Sequence, residues 1–267
     1  MSSPTPTPAP SASASGTRRA AWERWRAERT EALSRPHGWL SLTGLHWLDG
    51  GPRTVDGLPG RWWTDGAGVH ARDLGPDDLD GTGGGDWEPS ETGPEVVLAF
   101  GDVHVEVIRR TGRDALRVRD PRSPVLQAFT GVPVFPYDEG FVVPARFEAL
   151  EREREVVGGS VVEGLVNRHT AVGTVHLVVA GEPVPLTVFR QGESLTALFT
   201  DATSGVTSAP TTRSVPVPAP GADGSLVLDL NLAANYPSAF TDFATCPTPP
   251  DENRLTVAVE AGEKDPR

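Results

Sequence analysis

Side chains able to do chemistry gather toward the C-terminal end. Asp201 and Ser204 stand in DATSG, Asn231 and Asn235 in NLAAN, and Glu252, Asn253 and Arg254 follow a turn made by Pro247, Pro249 and Pro250. The mixture supplies one planar guanidinium fork, amides and carboxylates. An Arg254 fork suits bidentate capture of a carboxylate or phosphate, with the Asn amides orienting the rest of the ligand. The prolines restrict the backbone entering Glu252, so these polar heads are held at low entropic cost. These seven residues are the expected ligand-binding set, for a small anionic or polar ligand. The structural alternative is that the same residue types stabilise turns, with an Arg254–Asp201 pair fastening a loop.

Other constellations are weaker. Cys246 is a conceivable nucleophile with a distant His, but no flanking cysteine-hydrolase motif accompanies it and a small buried hydrophobe is expected. His46 sits between Leu45 and Trp47. His104 and Glu106 alternate along one strand, and His176 lies on another; they would share a metal only if those strands were neighbours. With no HExxH present, hydrogen-bonded or solvent-facing histidines are expected and no metal ligands are assigned. Gly81 to Gly85 follows no strand and opens no helix, so it reads as a loop and not as a phosphate cradle. No G-x-S-x-G elbow occurs. No cofactor is named by the sequence.

Composition narrows the classes. The 267 residues carry a formal net charge of −12, which repels nucleic-acid phosphates and anionic membranes, so neither is an expected partner. The only lysine is Lys264, in an acidic tail, which excludes a P-loop or a Schiff-base amine. The only cysteine is Cys246, so an intramolecular disulfide is excluded. The Ser, Pro, Ala and Thr tract at residues 1–17 lacks the basic and apolar regions of a secretory signal. No stretch approaches about 18 apolar residues. Cytoplasmic residence is the expectation.

The elements that must position these side chains are mostly strands. With 29 Gly and 26 Pro, short elements joined by turns are favoured. Residues 1–17 read as a disordered tail, and Arg18 to Leu33 as one amphipathic helix with Trp22, Trp25, Arg29 and Leu33 on one face and Pro36 beyond its end. His37 to Trp47 reads as a loop and short strand, and Thr64 to Gly93 as a hairpin tip and surface loop. Alternation predicts strands at Val96–Phe100, Val103–Arg109, Leu116–Arg119, Arg146–Leu150, Glu155–Val162, Ala171–Val179, Val184–Phe189, Leu195–Thr200, Thr211–Val217, Ser225–Asp229 and Thr256–Glu260. The fold expected is mainly β: a single-domain β sandwich or barrel-like fold over residues 18–264 with one N-terminal amphipathic helix.

Several segments read together resemble a bacterial family known as domain of unknown function 1684. They are GWLSLTGLHWL (Gly38 to Leu48), RDPRSP (Arg119 to Pro124), FTDATSG (Phe199 to Gly205), LDLN with NYPSAFTDFATCPTPPDENRL (Leu228 to Leu255), and EAGEK (Glu260 to Lys264). The resemblance covers about Trp22 to Lys264. It implies one domain and carries over no activity. It also implies a departure: relatives carry a second Cys where this chain has Ser238, beside one matched by Cys246, which argues against thiol-pair chemistry as a shared function. A VTSAPTT run replaces the Tyr–Gly run that follows DATSG in relatives.

The expected function is therefore binding of a small anionic or polar molecule, with hydrolase chemistry as the enzymatic option. The competing class is a non-catalytic interaction or structural module in which Phe129, Phe135, Tyr137 and Phe141 meet a partner.

Overall fold

A computed structural model describes residues 12–81, 83–93 and 95–267. The first eleven residues of the expected tail lie outside these, and the other six are helical. Helix α1 (Ala12–Leu33) begins six residues earlier than the expected Arg18, over a stretch in which Ala12 and Ala14 are the strong helix formers. It stops before Pro36, which disfavours helix at the residue preceding it. Trp22 and Leu33 are buried as the stripe requires. Trp22 Nε1 donates to the Asn231 carbonyl at 3.1 Å, and Arg29 pairs with Glu263 at 2.9 Å. Among the described residues no helix is long and apolar enough to cross a membrane.

After α1 the chain forms β1 (Leu42–Trp47), β2 (Arg61–Thr64), β3 (Val69–Arg72), β4 (Gly84–Trp87), β5 (Val96–Phe100), β6 (Val103–Arg110) and β7 (Arg113–Arg119). A short helix α2 (Pro124–Ala128) follows. Then come β8 (Val142–Gly159), β9 (Val166–Val179), β10 (Glu182–Gln191), β11 (Ser194–Phe199), β12 (Arg213–Val217), β13 (Ser225–Asp229) and β14 (Ala234–Asn235). They build three antiparallel sheets: four-stranded β1-β7-β6-β5, three-stranded β2-β3-β4, and seven-stranded β13-β8-β9-β10-β11-β12-β14. The fold is mainly β, and none of the sheets closes into a barrel.

Two expectations about elements are corrected. The Gly- and Asp-rich stretch from Thr64 is not only hairpin tip and surface loop, since it also supplies β3 and β4. Its glycines serve close packing: a Cβ on Gly84 would overlap the Ala71 carbonyl. Thr256 to Glu260 forms no strand. Side chains hold it instead, as Val259 N–H donates to Asp201 and Arg213 grips the Val259 and Ala261 carbonyls. Lys264, in the acidic tail, is tied down as well, with its N–H on the Pro133 carbonyl and Nζ 4.9 Å from the centre of the Phe135 ring.

Alternation places the cores. Val105 and Val107 of β6 and Leu116 and Val118 of β7 face the small sheet, packing with Trp62, Val69 and Ala71. In the large sheet Val175, Leu177, Val184, Leu186, Val215 and Leu228 turn to one side and form the main core.

Candidate ligand cleft and the fate of the predicted site

A cleft of about 900 Å³ lies inside the seven-stranded sheet. A break in strand pairing makes it. On β9, Gly173 pairs with Ala149 of β8 and Val188 of β10, while Ala171 pairs with Arg154 and Phe189. Val172 is therefore skipped on both sides. An unpaired residue of this kind bends its strand and re-aims neighbouring side chains. Here Val172 turns into the cleft, where Ala149, Leu150 and Glu153 from the irregular part of β8 join it. Two separate strands, Arg146–Leu150 and Glu155–Val162, were the expectation; they are one strand, β8, interrupted by this irregularity. Gly173 is required beside it, because a Cβ there would overlap the ring of Phe147, another lining residue.

The opposite wall comes from Leu195, Pro216, Val217 and the loop Pro218 to Pro220, with Val227, Asp229 and Leu232 completing the lining. Pro216 and Pro218 lack the N–H that a further strand would need, as suits an unpaired strand edge. The edge strand β13 and the part of β12 beyond its short pairing with β14 approach each other without forming a ladder. The charged groups are Glu153, Arg190, Glu193 and Asp229. Arg190 is already engaged by Glu153. Asp229 accepts hydrogen bonds from Asn231 N and Nδ2, at 3.0 and 2.9 Å. Burial pushes the Asp229 carboxyl above its ordinary value, and the Asn231 bonds oppose the shift.

None of the seven residues expected to bind a ligand lines this cleft. Asp201 pairs with Arg213, at 3.0 Å, and not with Arg254. Ser204 closes a turn by donating to Asp201 Oδ1 and accepting from its N–H. Asn253 is fully buried: its Oδ1 accepts from Thr187 N–H, and its Nδ2 donates to the Thr187 and Leu198 carbonyls. Asn231 exchanges bonds with the Asp138 backbone. Asn235 receives its place from Glu263 and Lys264. Glu252 and Arg254 point outward, Arg254 pairing with Asp251 at 3.1 Å. The set is thus spread over several tethers.

The other candidates separate in the same way. His104 stacks on His37 with ring centroids 3.6 Å apart, Glu106 bonds Arg117 and Arg119, and His176 lies in the other sheet, 3.2 Å from Glu148. Cys246 is buried and free, with burial pushing its thiol up and away from reactivity. His169, which sequence reasoning passed over, is partly buried and held below its ordinary value by burial, with Nε2 unpartnered among the described residues. The aromatic loop is spent on internal packing: Phe135 is buried, Phe129 packs near Leu33 and Phe240, and Tyr137 meets Trp22 at 5.4 Å.

Comparison with known proteins adds kinship without chemistry. No curated protein matches the chain. A solution NMR structure of an uncharacterized protein of Haloarcula marismortui is 30% identical, over 52% of this chain and 78% of that one, with a TM-score of 0.44. Residues 127–264, just over half of the chain and all of the cleft lining, match the model described as "Protein of unknown function (DUF1684)", and the chain belongs to that family.

Proposed function

We propose that this protein binds a small, largely apolar molecule in the cleft beside Val172, and that the polar part of that molecule is neutral or cationic. The observation that carries the reading is the cleft's size and lining. About 900 Å³ bounded by Phe147, Leu150, Val172, Leu195 and Val217 falls in the range of small-molecule sites, which are mostly apolar with a few placed polar groups. The polar groups here favour that charge. Glu193 and Asp229 are carboxyls, and the lining guanidinium, Arg190, is neutralised by Glu153. An anionic ligand at Arg254 has less support, because that side chain stands on the surface away from the cleft. The reading is one of binding: the one hydroxyl in the lining, Ser194, makes no hydrogen bond to a carboxyl or histidine among the described residues.

The test is a titration with a fluorescent apolar probe whose emission rises in dry surroundings, on the parent and on Ala149→Trp. Ala149 lines the cleft but is itself exposed, so the larger ring fills volume without overpacking a core. Saturable enhancement in the parent that is lost in an equally stable Ala149→Trp supports the proposal. Equal enhancement in both would remove the cleft from consideration.

A further inference from the structure

Helix α1 carries two indoles on its docked face and uses them differently. Trp22 is buried, its ring against Tyr137 and its N–H spent on the Asn231 carbonyl. Trp25, three residues on, is only half-buried. Among the described residues its N–H has no acceptor and its ring has no aromatic or cationic partner. It forms one wall of a recess of about 260 Å³ between the helix and the side of β11 and β12 turned away from the main core.

Strand register builds the opposite wall. Gln191 opposes Ser194 across the β10–β11 turn, and Thr196 opposes Pro216 of β12. Opposed residues of an antiparallel pair project to one side of a sheet, as do residues two apart along a strand. Gln191, Ser194, Thr196 and Ser214 therefore share the side that meets Trp25, whereas Leu195 and Val217 turn the other way. The recess and the cleft described above touch along a common rim at Ser194, Leu195 and Pro216. Among the described residues the side chains of Gln191, Ser194 and Ser214 make no hydrogen bond, and Thr196 spends only its proton, on the Val215 carbonyl at 3.2 Å. Arg29 is the one charged group of the lining, and it is matched by Glu263 at 2.9 Å and by the Asn235 carbonyl at 2.7 Å.

The recess is thus electrically neutral, with a flat apolar face on one side and unspent hydroxyl and amide groups on the other. A wholly apolar guest would desolvate those groups without pairing them, and an anion would find the guanidinium already taken. A saturated ring with C–H bonds on its face and hydroxyls around its edge suits both walls. Its polarised C–H bonds lie against the negative face of the indole, and each hydroxyl can donate to or accept from the amide and hydroxyl groups opposite. We propose that this recess binds one neutral sugar ring, stacked on Trp25 and hydrogen-bonded by Gln191, Ser194 and Ser214. The site draws its contacts from the helix side of β11 and β12 and stands independently of the ligand proposed for the cleft.

The probes are the methyl glycosides of glucose, galactose, mannose and N-acetylglucosamine, titrated against the full chain by saturation-transfer difference NMR, which reads the ligand. At least one should receive saturable transfer through its ring C–H protons. Sorbitol, which has the hydroxyls without the ring face, should receive none. Trp25→Ala should raise the half-saturating concentration about fivefold or more, as loss of a stacking partner does. Gln191→Ala lies at an exposed turn position, so it tests the site without burdening the helix, and it should raise that concentration about threefold or more. Transfer to none of the four glycosides would overturn the proposal. So would equal transfer to sorbitol, or a glycoside bound by Gln191→Ala and by Trp25→Ala as tightly as by the parent.

Discussion

Arg213 Nη2 lies 3.0 Å from Asp201 Oδ1, with no solvent exposure on either side chain. Asp201 also accepts from Thr203 and from the Val259 N–H, and Arg213 donates to the Val259 and Ala261 carbonyls. The pair is the clasp that holds the strandless C-terminal segment against β12. Removing one member strands a buried charge and frees several backbone groups. Arg213→Met should therefore destabilise the protein by roughly 3–5 kcal/mol, read as a lower urea midpoint. A loss below about 1 kcal/mol would show that the segment is held by other means.

Asn253 and Arg254 are neighbours with opposite fates. Truncating Asn253 to Ala leaves the Thr187 N–H and the Thr187 and Leu198 carbonyls without their partner in a dry interior, at a cost of about 2 kcal/mol or more. Arg254→Ala removes only an exposed pair with Asp251 and should change stability by less than about 0.5 kcal/mol. Urea unfolding of the two variants side by side checks the contrast. Equal losses would mean that Arg254 has a buried role the geometry does not give it.

Asp229 gives a pH signature. Its carboxyl is raised above the ordinary 3.8, so the folded state binds its proton more tightly than the unfolded state does. That contribution is fully present below 3.8 and is lost as pH climbs through the raised value. Asp229→Asn keeps an oxygen for Asn231 but cannot ionise. Its stability should match the parent's most closely near pH 3 and exceed it increasingly toward about pH 7. Urea midpoints measured across that range test this, and a variant that tracks the parent in parallel would assign the shift elsewhere.

The fold was largely legible because alternation is a local signal. Val96–Phe100 and Ser225–Asp229 were expected with the ends they have, and Trp22 and Leu33 were expected on the docked face of α1. Two kinds of information were not local. The glycines of β4 look like loop residues until Ala71 is known to lie against them. Thr256–Glu260 has strand-like composition, yet its backbone partners are side chains contributed by Asp201 and Arg213. The polar motif residues were correctly seen as special, but whether a buried Asn faces a ligand or a neighbouring carbonyl depends on which strand passes beside it. For Asn253 that strand is β10, distant in sequence. The cleft was missed for a related reason: Val172 sits among apolar neighbours, and only pairing with β8 and β10 shows that it is skipped. The Pro216 to Pro220 run was the available signal, since prolines that cannot donate mark an edge where a sheet stops closing.

The seam between β12 and β13 has a mechanical consequence. No backbone ladder joins β12 to β13 directly; β14, just after β13 in the chain, pairs with β12 at Arg213 and Ser214 and pins one end, so a change in width toward the other end is opposed mainly by packed side chains such as Val217 and Leu226. The cleft is thus compliant along one direction and stiff along the others, where strand pairing binds β8 to β9 and β9 to β10. If the proposed ligand binds there, the cleft should discriminate poorly by guest girth and more sharply by guest length, and a homologous series of guests should give a graded response in the first dimension and an abrupt cutoff in the second.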